Sequence, residues 1–133
     1  MQKRSFYFDL HIGVFIKKRQ IHTNFQADIA IKLILVVLSE MKVRIIKPMN
    51  DSNSIYAYKD WSIISNGELL TISIRQSESD HGCDIDIQSE STFPIIYDLG
   101  VNNRNLDKFV KLFRETEHKQ EISEKLFASK VSR

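Results

Sequence analysis

One cysteine, two prolines and four glycines in 133 residues leave several kinds of chemistry without their raw material. Cys83 has no second cysteine to join, so an intramolecular disulfide is excluded and a reducing, cytoplasmic setting is expected. The glycines stand singly, so neither a glycine-rich phosphate loop nor a Gly-x-Ser-x-Gly nucleophile elbow can be built. Paired Cys-x-x-Cys or His-x-x-x-His spacing, the mark of a zinc site, is missing. Long apolar runs are missing too. Ile29–Leu38 carries Lys32 and reaches about half the length a bilayer requires, and Asp28, Glu40, Lys42 and Arg44 prevent its extension. At the N-terminus Lys3 and Arg4 precede an apolar stretch, but Asp9 and His11 break it, and Lys17-Lys18-Arg19 stands where a signal peptide would have small residues. These absences describe a soluble protein with no membrane span and no expected metal or cofactor.

What is present is the composition of an ordinary folded domain. Hydrophobic residues make up 42% and charged residues 27%, too apolar for a disordered chain. The length suits one domain over residues 1–133, with a core at about 5–114 and a charged helix or tail at 115–133. The net charge of +2 is too small to argue for nucleic acid, but its distribution is uneven. Residues 1–22 hold Lys3, Arg4, Lys17, Lys18 and Arg19 against Asp9. Residues 65–98 hold Arg75 against Glu68, Glu78, Asp80, Asp84, Asp86, Glu90 and Asp98. Segments of opposite sign attract either within one fold or between two copies.

Periodicity supplies the elements. Phe6, Phe8, Leu10, Ile12 and Val14 alternate with Tyr7, Asp9, His11 and Gly13, a half-buried strand over Ser5–Ile16 with Lys17–Arg19 as its solvated end. Thr23 or Asn24 can cap a following helix, in which Phe25, Ile29, Leu33 and Val36 or Val37 recur at helical spacing. Because Ile29–Leu38 is apolar almost all round, that helix should be deeply covered. A buried strand is the competing reading there. Strands are expected at Val43–Ile46, Ser54–Tyr58 and Trp61–Ile64, with a tight turn at Asn66-Gly67. The clearest hairpin alternates Leu70, Ile72 and Ile74 with polar residues, then Cys83, Ile85 and Ile87 with Asp84, Asp86 and Gln88. Phe93–Leu99 reads as a last strand, at an edge because of Pro94. Leu106, Phe109, Val110 and Phe113 then form one helical stripe, with a weaker second stripe at Ile122, Leu126 and Phe127.

The expected fold is therefore α+β: a mainly antiparallel sheet of five or six strands with two helices packed on one face, in the order β-α-β4-α. That order is similar to the TATA-box-binding-protein-like layout, with the helix-grip fold as the alternative. Residues Ser65-Asn66-Gly67-Glu68, Ser89-Glu90-Ser91 and Asp98-Leu99-Gly100-Val101-Asn102-Asn103-Arg104-Asn105 resemble a family of small bacterial proteins of unknown function. The family pattern places aromatic residues where this chain has Asn66 and Leu99. The resemblance implies no activity.

Two strings invite a functional reading. Glu68, Asp98 and Asn102 are the candidate ligand-binding residues: Asp98 and Asn102 flank Gly100 at the entry to a helix whose positive end could also hold an anion. The structural reading has Gly100 making a turn, Asn102 bracing it and Asn105 capping the helix. The second string is the acidic hairpin Glu78, Asp80, His81, Cys83, Asp84 and Asp86, a source of carboxylates for an enzyme, or of a nucleophile if Cys83 paired with His81. Tyr7, Tyr56, Tyr58 and Trp61 could stack bases, but the acidic hairpin would repel a phosphate backbone. No catalytic residue is assigned. A non-enzymatic binding or assembly module leads, self-associating through a sheet edge or the opposite-charged segments. The alternative is a carrier of small apolar ligands, with a cavity between the sheet and helix Phe25–Met41. An enzyme using residues 78–86 comes third.

Overall fold

A computed structural model describes residues 16–47, 54–60, 67–91 and 100–131. Its elements run β1 (Ile16–Thr23), α1 (Ala27–Glu40), β2 (Arg44–Lys47), β3 (Ser54–Lys59), β4 (Glu68–Gln76), β5 (Cys83–Ser91) and α2 (Val101–Val131). The strands form one antiparallel sheet in the order β1-β5-β4-β3-β2. The fold is α+β with the expected β-α-β4-α sequence of elements. The expected strands Trp61–Ile64 and Phe93–Leu99 lie outside the described residues.

The hairpin sets the architecture. Alternation in β4 and β5 puts Leu70, Ile72, Ile74, Cys83, Ile85 and Ile87 on one buried face. Neighbouring strands extend that face in register as rows: Ile21–Ile85–Ile74, then Ile87–Ile72–Ile55, then Ser89–Leu70–Ala57, and finally Ser91–Glu68–Lys59. The inner face thus grades from isoleucine at one end to polar at the other. Helix α2 repeats the gradient. Asn102 and Asn105 come first, and Leu106, Phe109 and Phe113 follow, all buried. The rings of Phe109 and Phe113 lie 6.1 Å apart and nearly parallel, and burying each contributes roughly 1.5–3 kcal/mol. Helix α1 closes the core with Ala30, Leu33, Ile34, Val37 and Leu38.

Several local expectations are overturned. The first strand was expected at Ser5–Ile16, nearly all of it outside the described residues. Lys17–Arg19, expected as a solvated end, lie inside β1 because pairing with Gln88, Ser89 and Ile87 of β5 outweighs the polarity of their side chains. Neither Thr23 nor Asn24 caps α1. Its N-cap is Gln26, without a side-chain bond, because Thr23 is buried and turned toward Glu117 (2.6 Å). The helix itself forms as read, but it is not covered all round: Leu35 and Val36 are 39% and 45% exposed. Two helices on one sheet face leave an outer flank for which the described residues supply no cover. Asn105 does not cap α2 either. The helix already begins at Val101, and the Gly100 carbonyl accepts the bond from the Arg104 N–H. The segment expected as a charged helix or tail is helical to Val131 and continues α2 unbroken, giving a helix about 46 Å long.

Candidate functional site

The polar end of the inner face gathers residues that are far apart in the chain. β4 contributes Glu68, β5 Ser89 and Ser91, β3 Lys59, and α2 Asn102 and Asn105. Ser89 Oγ donates to Asn102 Oδ1 (2.8 Å), and Asn102 Nδ2 donates to Ser91 Oγ (3.1 Å). Asn105 Nδ2 donates to Glu68 Oε1 (2.8 Å) and Ser89 Oγ (3.2 Å), while its Oδ1 accepts from Lys59 Nζ (2.9 Å). Glu68, Ser89, Asn102 and Asn105 are all essentially inaccessible to solvent. Among the described residues no buried side-chain polar atom lacks a partner.

Of the three sequence-predicted ligand residues, the structure therefore joins Glu68 and Asn102 through Asn105 and Ser89. Asp98 lies outside the described residues. The polar atoms bond one another, so a ligand here would have to displace bonds already made. The sequence reading missed Lys59 and placed Asn105 as a cap. Strand parity was the available signal. Lys59, Glu68, Ser89 and Ser91 each fall in step with the greasy positions of their strands, which puts polar side chains indoors. Gly67 holds the entry to β4 at a positive φ of 92°, where an added side chain would strike the Tyr58 hydroxyl.

The acidic hairpin separates into two kinds of contact. Cys83 is buried on the inner face, and burial pushes its thiol above the ordinary range. His81 is exposed in the loop, so the two do not form a nucleophilic pair. On the outer face Arg75 Nε donates to Asp86 (2.8 Å). His22 of β1 bridges Asp84 (Nδ1, 2.9 Å) and Asp80 (Nε2, 3.1 Å). The Asp84 bond, with the charges of both carboxylates, raises the imidazole above its ordinary value near 6.5, against a smaller opposing effect of burial. The Gly82 N–H, and then His22, hold Asp80 below its own. Among the described residues no group of three His, Cys, Asp or Glu is placed to hold a metal ion, and no helix is long and apolar enough to cross a membrane.

A third feature is apolar. The core stripe of α2 passes Phe109 and Phe113 and continues about four turns on at Phe127 and Val131, beyond the sheet. From Glu121 to Val131 every residue is exposed, Leu126 at 60% and Phe127 at 70%. On the wheel, Glu117, Glu121 and Glu124 flank the stripe on one side and Lys119 and Lys130 on the other.

No family model and no curated protein matches the chain. Among solved structures it is similar to one titled "Crystal structure of Ara h 8.0201", with a TM-score of 0.43 and 6% identity over 78% of this chain and 95% of that one. A likeness so loose assigns nothing to this chain, whose fold stands on the sheet and helices described above.

Proposed function

We propose that this protein is a non-enzymatic assembly module that pairs with a second copy of itself through the distal three turns of α2. The observation carrying this reading is the exposed pair Phe127 and Val131, which continue the core stripe of Phe109 and Phe113 along a helix end where every residue from Glu121 to Val131 is exposed. Isolated helices of this length are marginal in water, so a covering surface would stabilise it. Acidic residues on one side of the stripe and lysines on the other make that surface complementary in charge to a copy of itself.

Other routes to self-association are less favoured. The basic and acidic segments of the sequence are neighbours in one sheet, with β1 on β5 and His22 bridging Asp80 and Asp84, and Arg19 is bonded to Asp107 of α2 (2.6 Å), so part of their attraction is satisfied internally. Both sheet edges carry the charges that discourage edge pairing: Lys17, Lys18 and Arg19 on β1, Arg44 and Lys47 on β2. The ligand-carrier alternative needs room between sheet and helices, where Phe109, Phe113, Ile34 and Leu38 are packed without exposure.

Three turns present a small area, well below the roughly 800 Å² per partner of a stable complex. The association expected is weak, with Kd on the order of 10–100 µM. Sedimentation velocity over a concentration series should show monomer passing to dimer in the wild type. Phe127→Lys should remain monomeric with its thermal unfolding unchanged. Monomer at every concentration would overturn the reading, and uptake of an apolar dye by that monomer would favour the carrier.

A further inference from the structure

The outer face of the sheet is a ladder of four cross-strand rows, and their chemistry differs row by row. Register places Arg75, Asp84 and His22 in one row. The next holds Ser54, Ser73, Asp86 and Gln20, and the third Tyr56, Thr71, Gln88 and Lys18. The fourth is Tyr58, Leu69, Glu90 and Ile16. The first row is internally satisfied, since His22 bonds Asp84 and Arg75 reaches across to Asp86 of the second. In the second, Ser54 and Ser73 are bonded (3.3 Å). The third row breaks this pattern. Thr71 and Gln88 stand directly opposite each other and half-buried, yet neither side chain has a hydrogen-bond partner among the described residues; nor do those of Tyr56, Lys18 and the adjoining Gln20. Half-buried polar groups ordinarily find partners.

Lys18, Gln20, Thr71 and Gln88 line, with Arg19, Ser73 and Asp86, a depression of about 460 Å³, and Tyr56 stands on the adjoining strand. Each of the depression's charges has a counter-charge at hand: Asp86 is bonded to Arg75, Arg19 to Asp107, and Lys18 has Glu90 as its diagonal neighbour on β5. What remains unbonded among the described residues is two carboxamides, each able to donate twice and accept, the hydroxyl of Thr71, and Tyr56 directly across from it. The row crosses four strands, a span of about 14 Å.

We propose that this row is a binding site for a neutral oligosaccharide. Carboxamides match adjacent sugar hydroxyls because each offers a donor and an acceptor side by side. A tyrosine ring offers an apolar face to the C–H side of a pyranose, and the balanced charge favours an uncharged chain over an acidic one. A site of this kind is open and mostly polar, so its affinity is modest. It is independent of pairing at α2, which lies against the opposite face of the sheet.

The test is an NMR titration of the ¹⁵N-labelled full chain with cellohexaose, xylohexaose and chitohexaose, each to millimolar concentration, with an oligogalacturonate as the charged comparison. At least one neutral sugar should shift the amides of Lys18, Thr71 and Gln88 and the carboxamide signals of Gln20 and Gln88, leaving α2 unmoved. Tyr56→Ala and Gln88→Ala should each weaken that binding about tenfold, the loss of one good contact, with the unfolding midpoint unchanged. Three results would each overturn the assignment: no neutral sugar moving this row, shifts that survive both substitutions, or a response to the galacturonate alone.

Discussion

Two backbone positions and one carboxamide carry more of the fold than their size suggests. Lys42, just past α1, is a non-glycine residue at a φ of 59°, and its N–H returns to the Ser39 carbonyl while that of Val43 returns to Leu38. A lysine there bears a left-handed strain that glycine does not. Lys42→Gly should therefore raise stability by about 0.5–1 kcal/mol in urea unfolding, and a loss would show that its side chain contributes more than its backbone costs. Gly67 is the reverse case. Gly67→Ala adds both strain and a collision with Tyr58, costing roughly 1–3 kcal/mol. Gly100→Ala, whose new methyl would meet, among the described residues, the end of Arg104, should cost less. In the polar cluster, Asn105→Ala removes partners from Glu68, Ser89 and Lys59 together, for an expected loss of about 3 kcal/mol. If Asn105→Ala were neutral by the same measurement, the cluster would be incidental to how α2 docks.

The elements were legible wherever periodicity and burial agreed. The β4–β5 hairpin and the α2 stripe have one greasy face each, and both folded as their patterns indicated. Reading failed where tertiary contacts overrode local chemistry. Lys17–Arg19 look like a strand's end but lie in β1, because β5 offers eight partners in register. Thr23 looks like a cap but is committed to Glu117 on a helix ninety-four residues away. The candidate site was half legible. Glu68 and Asn102 were named, while Lys59 shares the parity of Ile55 and Ala57 but meets Glu68 only through strand pairing, which a single strand's pattern does not fix. His22 shows the same dependence, since it joins β1 to β5 and to the loop before it. Raised above its ordinary value, it contributes stability that is complete below about pH 6.5 and lost as pH rises through the folded value. Asp80, lowered, contributes above its ordinary 3.8 and loses that as pH falls through its own folded value. Arg75 stands opposite Asp84 and moderates its charge. The tie is therefore firmest in mildly acidic solution. Raising the pH from about 6 to 8 should lower the unfolding midpoint of the wild type more than that of His22→Gln. Identical pH profiles would remove His22 from the account.

At the scale of the whole molecule, the two faces of the sheet do different work. The inner face is filled by side chains and helices, its polar end consumed by its own bonds. The outer face keeps a row whose side chains find no partner among the described residues, and α2 runs on past Phe113 to Val131. An exposed helix end is stabilised by whatever binds it, and binding to the folded state alone raises stability in proportion to the logarithm of partner concentration. If the partner is a second copy, the unfolding midpoint must rise with the protein's own concentration. For Kd near 50 µM, going from well below that value to about a hundred times above it adds no more than about 2.7 kcal/mol. Phe127→Lys should abolish the dependence while leaving the low-concentration midpoint where it was, because Phe127 is 70% exposed in the monomer. A midpoint that ignores concentration in the wild type would leave the exposed stripe without the partner assigned to it. A low-concentration midpoint that falls in Phe127→Lys would instead mean that the distal turns already support the monomer.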